Sequence, residues 1–175
     1  MSAIQRITKL AAVGAGATAI LSAALTSGGS AATAGSTSVE TAANQHCVAD
    51  LNTGSMTCFK TAQEADSFGN TRQAATALAW QVHVILYANT GYSGASIRLG
   101  SDGQCSATTT DVDGVQPNLG NFGWSNRASS FVTRNQCDMK AWDLTNYRGD
   151  HFSTYRDHDI ALTALNNRIS SFKTS

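Results

Sequence analysis

The stretch that decides the fold reads SNRASSF at residues 125–131 and recurs, nearly unchanged, as NNRISSF at residues 166–172. Upstream of each copy lies an aromatic-rich loop with one spacing: an aromatic residue, a tyrosine five positions on, and a glycine two further on. In the first unit these are Tyr87, Tyr92 and Gly94, and in the second they are Trp142, Tyr147 and Gly149. One unit is therefore used twice, and the first is longer by an insertion around residues 105–115.

The first 34 residues have the pattern of a secretory signal. Arg6 and Lys9 form a charged start, residues 10–25 are apolar and small, and residues 32–34 give a small-x-small cleavage pattern. A membrane anchor is the alternative, but this run is rich in Ala and Gly and shorter than the roughly 20 residues that a span needs. We therefore expect the signal to be removed and the mature protein to be secreted and extracellular.

The overall charge argues against two classes of partner. Twelve basic residues balance 12 acidic ones, which leaves no net field to attract nucleic acid or an anionic membrane. We expect a monomer with no nucleic-acid partner and, once the signal is removed, no membrane contact.

Four cysteines in an exported chain favour two disulfides, for which three connectivities exist. We predict the pairs Cys47–Cys58 and Cys105–Cys137. The first would link the arms of a β-hairpin that turns at residues 52–54. A thiolate metal site is the alternative, but the C-x-x-C spacing typical of such sites is missing.

The remaining chain divides into three parts. Residues 35–46 are small and polar and predict a flexible lead. Residues 47–80 predict an extension made of the hairpin and a helix, which begins with a capping box at Thr61 and Glu64 and continues in Ala-rich sequence to Ala79. Residues 69–70, Gly-Asn, are expected to end or interrupt this helix.

Residues 81–175 have the texture of an antiparallel sandwich, with β-branched and aromatic runs broken at short intervals by turn residues. Val82, Val84 and Leu86 alternate with their neighbours, which predicts a strand with one buried side. Ile97 and Leu99 show the same alternation.

The duplicated motif resembles the two Greek-key motifs of a βγ-crystallin domain, over residues 82–173. The resemblance implies an all-β fold: a Greek-key sandwich of two four-stranded motifs with the two polar turns side by side, preceded here by the stapled hairpin and short helix. Exported actinomycete metalloproteinase inhibitors look like single domains of this type.

In the microbial branch of that family the paired turns hold two calcium ions, so the resemblance implies calcium as a cofactor. It implies side-chain ligands at Asn126 and Asn167 and main-chain carbonyl ligands at Arg127 and Arg168. The hydroxyls of Ser129 and Ser170 would each reach across to the ion of the other turn. A loop carbonyl at Ala88 or Asp143 would complete the set. Calcium accepts such neutral oxygens. Alternatively, these side chains only satisfy turn amides, as Asn and Ser do in many loops.

No catalytic motif is evident, and we expect a protein that is not an enzyme. The sequence 91–94, Gly-Tyr-Ser-Gly, lacks the register of a nucleophile elbow and is interpreted as a hairpin bend. His151, Asp157, His158 and Asp159 cluster in sequence without the spacing of a zinc site.

Three functions remain open from the sequence. The first is a secreted, non-enzymatic calcium-binding module. The second is an inhibitor of an extracellular proteinase, for which residues 105–117 supply the longest candidate loop. The third is a cell-wall or antimicrobial binding module that uses the repeated aromatics, with Trp80 and Trp124 as a further ligand face if they are exposed together.

Overall fold

The computed structural model describes residues 45–74 and 80–175 of the 175-residue chain. The predicted signal, most of the predicted lead and the last residues of the predicted helix lie outside the described residues. Over the part that is described, no helix is both long and apolar enough to cross a membrane.

Ten strands, one α-helix and one 3-10 turn make up the described residues. They are β1 (His46–Asp50), β2 (Met56–Phe59), α1 (Ala62–Ala74), β3 (Trp80–Asn89), β4 (Ser93–Asp102), β5 (Gly114–Gln116), the 3-10 turn (Leu119–Phe122), β6 (Ser130–Thr133), β7 (Met139–Leu144), β8 (Arg148–His151), β9 (His158–Asp159) and β10 (Ser171–Thr174).

The strands form two sheets, ordered β2-β1-β4-β3-β6-β9 and β5-β10-β7-β8. Strands β3 to β6 form the first motif and β7 to β10 the second. Each motif gives its third strand to the sheet of the other, since β5 pairs with β10 and β9 pairs with β6. The two motifs are thus interlocked Greek keys, and the predicted all-β Greek-key sandwich is confirmed.

The N-terminal hairpin is part of the first sheet, because β1 pairs in parallel with β4 and places His46 opposite Ser96. Cys47 and Cys58 lie directly opposite each other on β1 and β2 and form a disulfide. The second predicted pair, Cys105–Cys137, is also present and ties the loop after β4 to the segment before β7.

Helix α1 begins as the sequence predicts, with a capping box in which the backbone N–H of Glu64 donates to Thr61 and that of Thr61 donates to Glu64. The predicted interruption at residues 69–70 is wrong, because α1 continues to Ala74. Gly69 is buried, and a methyl group in place of its hydrogen would lie 3.9 Å from the Trp80 ring and 4.0 Å from Val82. These are ordinary van der Waals distances, so the packing of the helix on the sheet would also accommodate alanine at this position.

The main core lies between the two sheets and is formed by apolar side chains from both motifs, including Val84, Leu86, Phe131 and Phe172. The predicted buried side of β3 is confirmed for Val84 and Leu86, but the assignment of Val82 to that side is wrong, and the other side is buried as well. A register shift between Val82 and Val84 places Val82 on the opposite face, and α1 covers that face, so Val82 and Ile85 are buried in a second apolar cluster.

Candidate functional site

The two copies of the repeated motif form turns that face each other through reciprocal main-chain bonds. The N–H of Asn126 donates to the carbonyl of Ile169 at 2.9 Å, and the N–H of Asn167 donates to the carbonyl of Ala128 at 2.8 Å. Both asparagines adopt a positive φ, 59° at Asn126 and 53° at Asn167. Asparagine tolerates this left-handed conformation better than most residues, which accounts for its place in both copies.

The first serine of each copy reaches across to the asparagine of the other. The hydroxyl of Ser129 donates to Oδ1 of Asn167, and the hydroxyl of Ser170 donates to Oδ1 of Asn126, both at 3.1 Å. Both serines are buried, while the asparagines are at or near the surface. The structure thus brings together the four side chains that the sequence singled out and arranges them as two equivalent oxygen pairs.

The second serine of each copy has a different task, which the sequence did not reveal. The hydroxyl of Ser130 donates to the carbonyl of Asn89 at 2.6 Å and accepts the N–H of Tyr92 at 3.1 Å. Ser171 does the same for Leu144, at 2.6 Å, and Tyr147, at 3.0 Å. These bonds hold the hairpin bends in which Tyr92 and Tyr147 adopt a positive φ.

The two oxygen pairs differ in their surroundings. In the first turn the hydroxyl oxygen of Ser125 lies 2.8 Å from that of Ser170, so Ser170 contacts both Ser125 and Asn126. The second turn has Asn166 at the position of Ser125. Ser125 therefore places a hydroxyl group beside the first oxygen pair.

The arginines of the two turns direct their guanidinium groups back along the chain. Arg127 Nη1 donates to the carbonyl of Gly123 and Arg168 Nη1 to that of Ala164, both at 3.0 Å. Arg168 also forms ion pairs with Asp143 at 2.6 Å and Asp150 at 2.8 Å. These hydrogen bonds, that of Asp150 first, raise the pKa of Arg168 above its usual value.

The predicted loop ligands, Ala88 and Asp143, are equivalent residues of the two hairpins. Each lies at a register shift, between Tyr87 and Asn89 in the first motif and between Trp142 and Leu144 in the second. The Asp143 side chain is 14% exposed, and its Oδ1 is buried with no hydrogen-bond partner among the described residues.

The oxygen pairs fit a hard cation in composition and spacing. Calcium takes amide, carbonyl and hydroxyl oxygens at about 2.3 to 2.6 Å. Oxygen atoms that lie 3.1 Å apart, as in both serine–asparagine pairs, can both be that close to one ion. The predicted donor set consists of neutral oxygens, because Ala88 or Asp143 would contribute a main-chain carbonyl, and the carboxylate of Asp143 is already paired with Arg168.

The residues considered for catalysis are not assembled into one site. His158 contacts Asp157 at 2.7 Å, with both side chains more than half exposed, and Asp159 pairs with Arg156 at 3.1 Å. His151 instead stacks on Trp142. Ser93, of the 91–94 stretch, donates to the carbonyl of Thr90 within the bend.

A buried histidine lies beside the second disulfide. His83 is fully buried, with Nδ1 3.0 Å from Thr174 Oγ1 and Nε2 3.0 Å from the Gly103 carbonyl oxygen. Its ligand atoms and the sulfurs of Cys105 and Cys137 lie within 4.8 Å of one another. Because the sulfurs are bonded to each other, they are not available as thiolate ligands.

The aromatic residues divide into buried and surface groups. Trp80 and Trp124 are 4% and 2% exposed and belong to different apolar clusters, so they do not form a shared ligand face. The repeated aromatics pair within each motif: Tyr87 with Tyr92 at 5.7 Å between ring centroids, and Trp142 with Tyr147 at 5.6 Å.

Solved structures with a similar fold are βγ-crystallin domains. The N-terminal domain of protein S has a TM-score of 0.41 and 17% identity over 53% of this chain and 94% of its own. A βγ-crystallin from Ciona intestinalis gives 0.40 and 13% over 53% and 98%, and one from an archaeon gives 0.38 and 20% over 54% and 98%. No protein-family model matches the sequence, and no curated protein matches it significantly. At these identities the likeness concerns the fold alone.

Proposed function

We propose that this chain, whose fold is of the βγ-crystallin type, is an exported, non-catalytic binding protein whose paired turns take up calcium ions. One observation carries the proposal: the reciprocal pairs Ser129–Asn167 and Ser170–Asn126, each with two oxygen atoms 3.1 Å apart. Each pair contains one side chain from each motif, so an ion held there would join the two halves of the sandwich.

The chemistry of the turns supports weak binding. Asn126, Asn167 and the two serines would bind the ion through side-chain oxygens, and Arg127 and Arg168 through their carbonyls. Because nearly all these ligands are neutral, we expect dissociation constants of about 0.1 to 1 mM, typical of extracellular calcium modules. The neutral oxygens would coordinate calcium through their dipoles. Bound calcium would stabilise the folded state by mass action, by about 1.4 kcal/mol per site at ten times the dissociation constant.

Calorimetric titration with calcium, together with the melting temperature at 0 and about 10 mM calcium, tests the proposal. The decisive variant is Asn126→Gly with Asn167→Gly, since glycine keeps the positive φ and removes the side chain that carries the oxygen ligand. Asn146→Gly is the matched control, because Asn146 also has a positive φ, 57°, in a hairpin outside the turns.

We expect the wild type and the Asn146 variant to bind calcium and to melt at higher temperature with it, while the double variant does neither. Equal binding by the double variant, or an unchanged wild-type melting temperature, would contradict the proposal. Magnesium at the same concentration should have less effect, because it demands a more rigid octahedral site.

A second candidate, inhibition of an extracellular proteinase, is favoured by the loop after β4. Residues 107–112 are exposed, and the loop is internally bonded: Asp111 Oδ1 accepts the hydroxyls of Ser106 at 2.9 Å and Thr108 at 2.7 Å. The Ser175 hydroxyl donates to the carbonyl of Thr108 at 3.0 Å, and Cys105 anchors the loop to Cys137. A constrained, exposed loop is what an inhibitor presents to a protease, because its ordering cost is already met.

Inhibition assays against thermolysin-like and subtilisin-like enzymes test this candidate. Asp111→Ala removes the acceptor that orders the loop and should weaken inhibition at least tenfold, whereas Asp102→Ala, at an exposed position beside it, should leave inhibition unchanged. No inhibition by the wild type, or equal inhibition by both variants, would exclude this loop as an inhibitory site.

A further inference from the structure

The outer face of the second sheet carries a cluster of aromatic and basic side chains, which we call the aromatic–lysine face: Lys140, Trp142, Tyr147, His151 and Lys173. The Trp142 ring centroid lies 5.6 Å from that of Tyr147 and 5.9 Å from that of His151. Helix α1 packs on the first sheet, so within residues 45–74 and 80–175 no helix covers this face.

The two lysines are arranged at an energetic disadvantage. Lys140 lies directly opposite Lys173 in the register of β7 and β10, and like charges at such positions repel each other. Their ammonium groups lie 5.8 and 6.0 Å from the Trp142 ring centroid, and that of Lys173 lies 4.6 Å from the Tyr147 centroid. Neither lysine forms an ion pair with any described residue.

The acidic side chains of the same hairpin do not offset this charge. Asp143 and Asp150, on β7 and β8, are both bound by Arg168 from the second turn. Their charge is therefore engaged by a cation outside the aromatic–lysine face, and among the described residues no carboxylate pairs with Lys140 or Lys173.

The first motif shows that the fold does not require this pair. The positions equivalent to Lys140 and Lys173 are Ile85 and Val132, which also lie directly opposite each other. Ile85 and Val132 pack in the apolar cluster that includes Ala65 of α1. The same place in the two sheets is thus apolar and packed against α1 in one, and occupied by two half-buried lysines in the other.

We propose that the aromatic–lysine face binds a linear anionic polysaccharide. Its carboxylates would meet Lys140 and Lys173, and the C–H faces of its sugar rings, which carry partial positive charge, would pack on the negative faces of Trp142 and Tyr147. Charged groups and rings that alternate side by side suit an extended polymer of acidic sugars. Contacts of an exposed ammonium with a ring are weak, about 0.5 to 1 kcal/mol, so the lysines can turn from the rings to a carboxylate.

Binding of the purified protein to polygalacturonate, measured at low salt with a chelator, tests the proposal; the chelator keeps calcium at the turns or on the polymer from contributing. Fully methyl-esterified polygalacturonate keeps the sugar rings and removes the charge. Poly-L-glutamate keeps the charge and removes the rings. Lys140→Gln with Lys173→Gln is the charge variant, Lys60→Gln with Arg134→Gln is its matched control at exposed positions, and Tyr147→Leu tests the ring.

We expect the charge variant and Tyr147→Leu each to lose at least tenfold in affinity for polygalacturonate and the control to stay within twofold. We also expect the charge variant to be at least as stable to urea as the wild type, because a repulsion is removed. No binding to polygalacturonate, equal binding of the esterified polymer, or equal losses in the charge variant and its control would overturn the proposal. Binding of poly-L-glutamate with the same affinity, insensitive to Tyr147→Leu, would assign an acidic peptide instead and also overturn it.

Discussion

Ser129 and Asn167 lie 38 residues apart in sequence, on different Greek keys, yet the Ser129 hydroxyl donates to the Asn167 side chain at 3.1 Å. Ser170 and Asn126 repeat the relationship at the same distance. The neighbouring serines, Ser130 and Ser171, point instead to the hairpin of their own motif. The two adjacent serines of each copy therefore have different roles: the first bonds to the other motif, and the second bonds to the hairpin of its own motif.

The second serines should matter more for stability than the first. Ser130→Ala leaves the Tyr92 N–H and the Asn89 carbonyl without their partner beneath the bend, and such losses cost about 1 to 3 kcal/mol per buried group. We expect Ser130→Ala and Ser171→Ala each to lower the free energy of unfolding by about 2 to 3 kcal/mol, as measured by urea denaturation without calcium.

Ser129→Ala and Ser170→Ala remove one hydrogen bond to an asparagine that can turn to water, so each should cost only about 1 kcal/mol. A larger loss of unfolding free energy in Ser129→Ala than in Ser130→Ala would contradict these different roles of the two serines.

The buried His83 should make the protein less stable in mild acid. Burial lowers its pKa below the usual 6.5, so the unfolded chain binds a proton over a pH range in which the folded protein does not. Stability from this group is complete above pH 6.5 and falls as the pH drops toward the folded pKa, with a slope of at most about 1.4 kcal/mol per pH unit.

Urea denaturation between pH 7.5 and pH 5, about one unit above and more than one unit below the usual pKa of histidine, measures this slope. His83→Gln should flatten it, while His158→Gln, at an exposed position, should not. His46, whose pKa burial also lowers, contributes in the same direction, so the slope should not vanish entirely. Equal slopes in the two variants would show that His83 is not the responsible group.

The two disulfides should differ in their contribution to stability. Cys105–Cys137 spans a sequence separation of 32 and Cys47–Cys58 one of 11. By loop entropy alone their removal costs about 4 and about 3 kcal/mol. We expect Cys105→Ser with Cys137→Ser to be the less stable variant, also because it frees the loop that contains Asp111 and disturbs the surroundings of His83.

Thermal and urea denaturation of the two double variants provides the comparison. If the Cys47→Ser with Cys58→Ser variant were the less stable one, the contribution of the β1–β2 hairpin to the first sheet would have to exceed that of the longer cross-link.

Local patterns in the sequence predicted much of this structure. The duplicated turn, the capping box at Thr61 and the spacing around Cys47 and Cys58 all act over short distances, where residue type and spacing determine the conformation. The roles of Asn126 and Asn167 as turn residues follow from the tolerance of asparagine for a positive φ.

Long-range pairing could not be obtained in the same way. Strand β9 has only two residues, His158 and Asp159, and no alternating apolar pattern, so its place beside β6 depends on the interlocking of the two motifs. The alternation in β3 predicted only one buried side because the pattern does not show that α1 covers the outer face of the first sheet, where it buries Ile85 as well as Leu86 on the inner face. The burial of Trp80 and Trp124 likewise depends on elements distant in sequence.

The exchange of β5 and β9 between the motifs affects how the protein unfolds. Neither repeat forms a complete sheet by itself, because each contributes one strand to the sheet of the other and receives one in return. A chain cut between the repeats, after Asp138, would give two fragments, neither of which can fill its own sheet, so each would depend on its counterpart for a full set of backbone partners. Loss of order in one repeat therefore removes a strand from the other, and the two should unfold in a single cooperative transition.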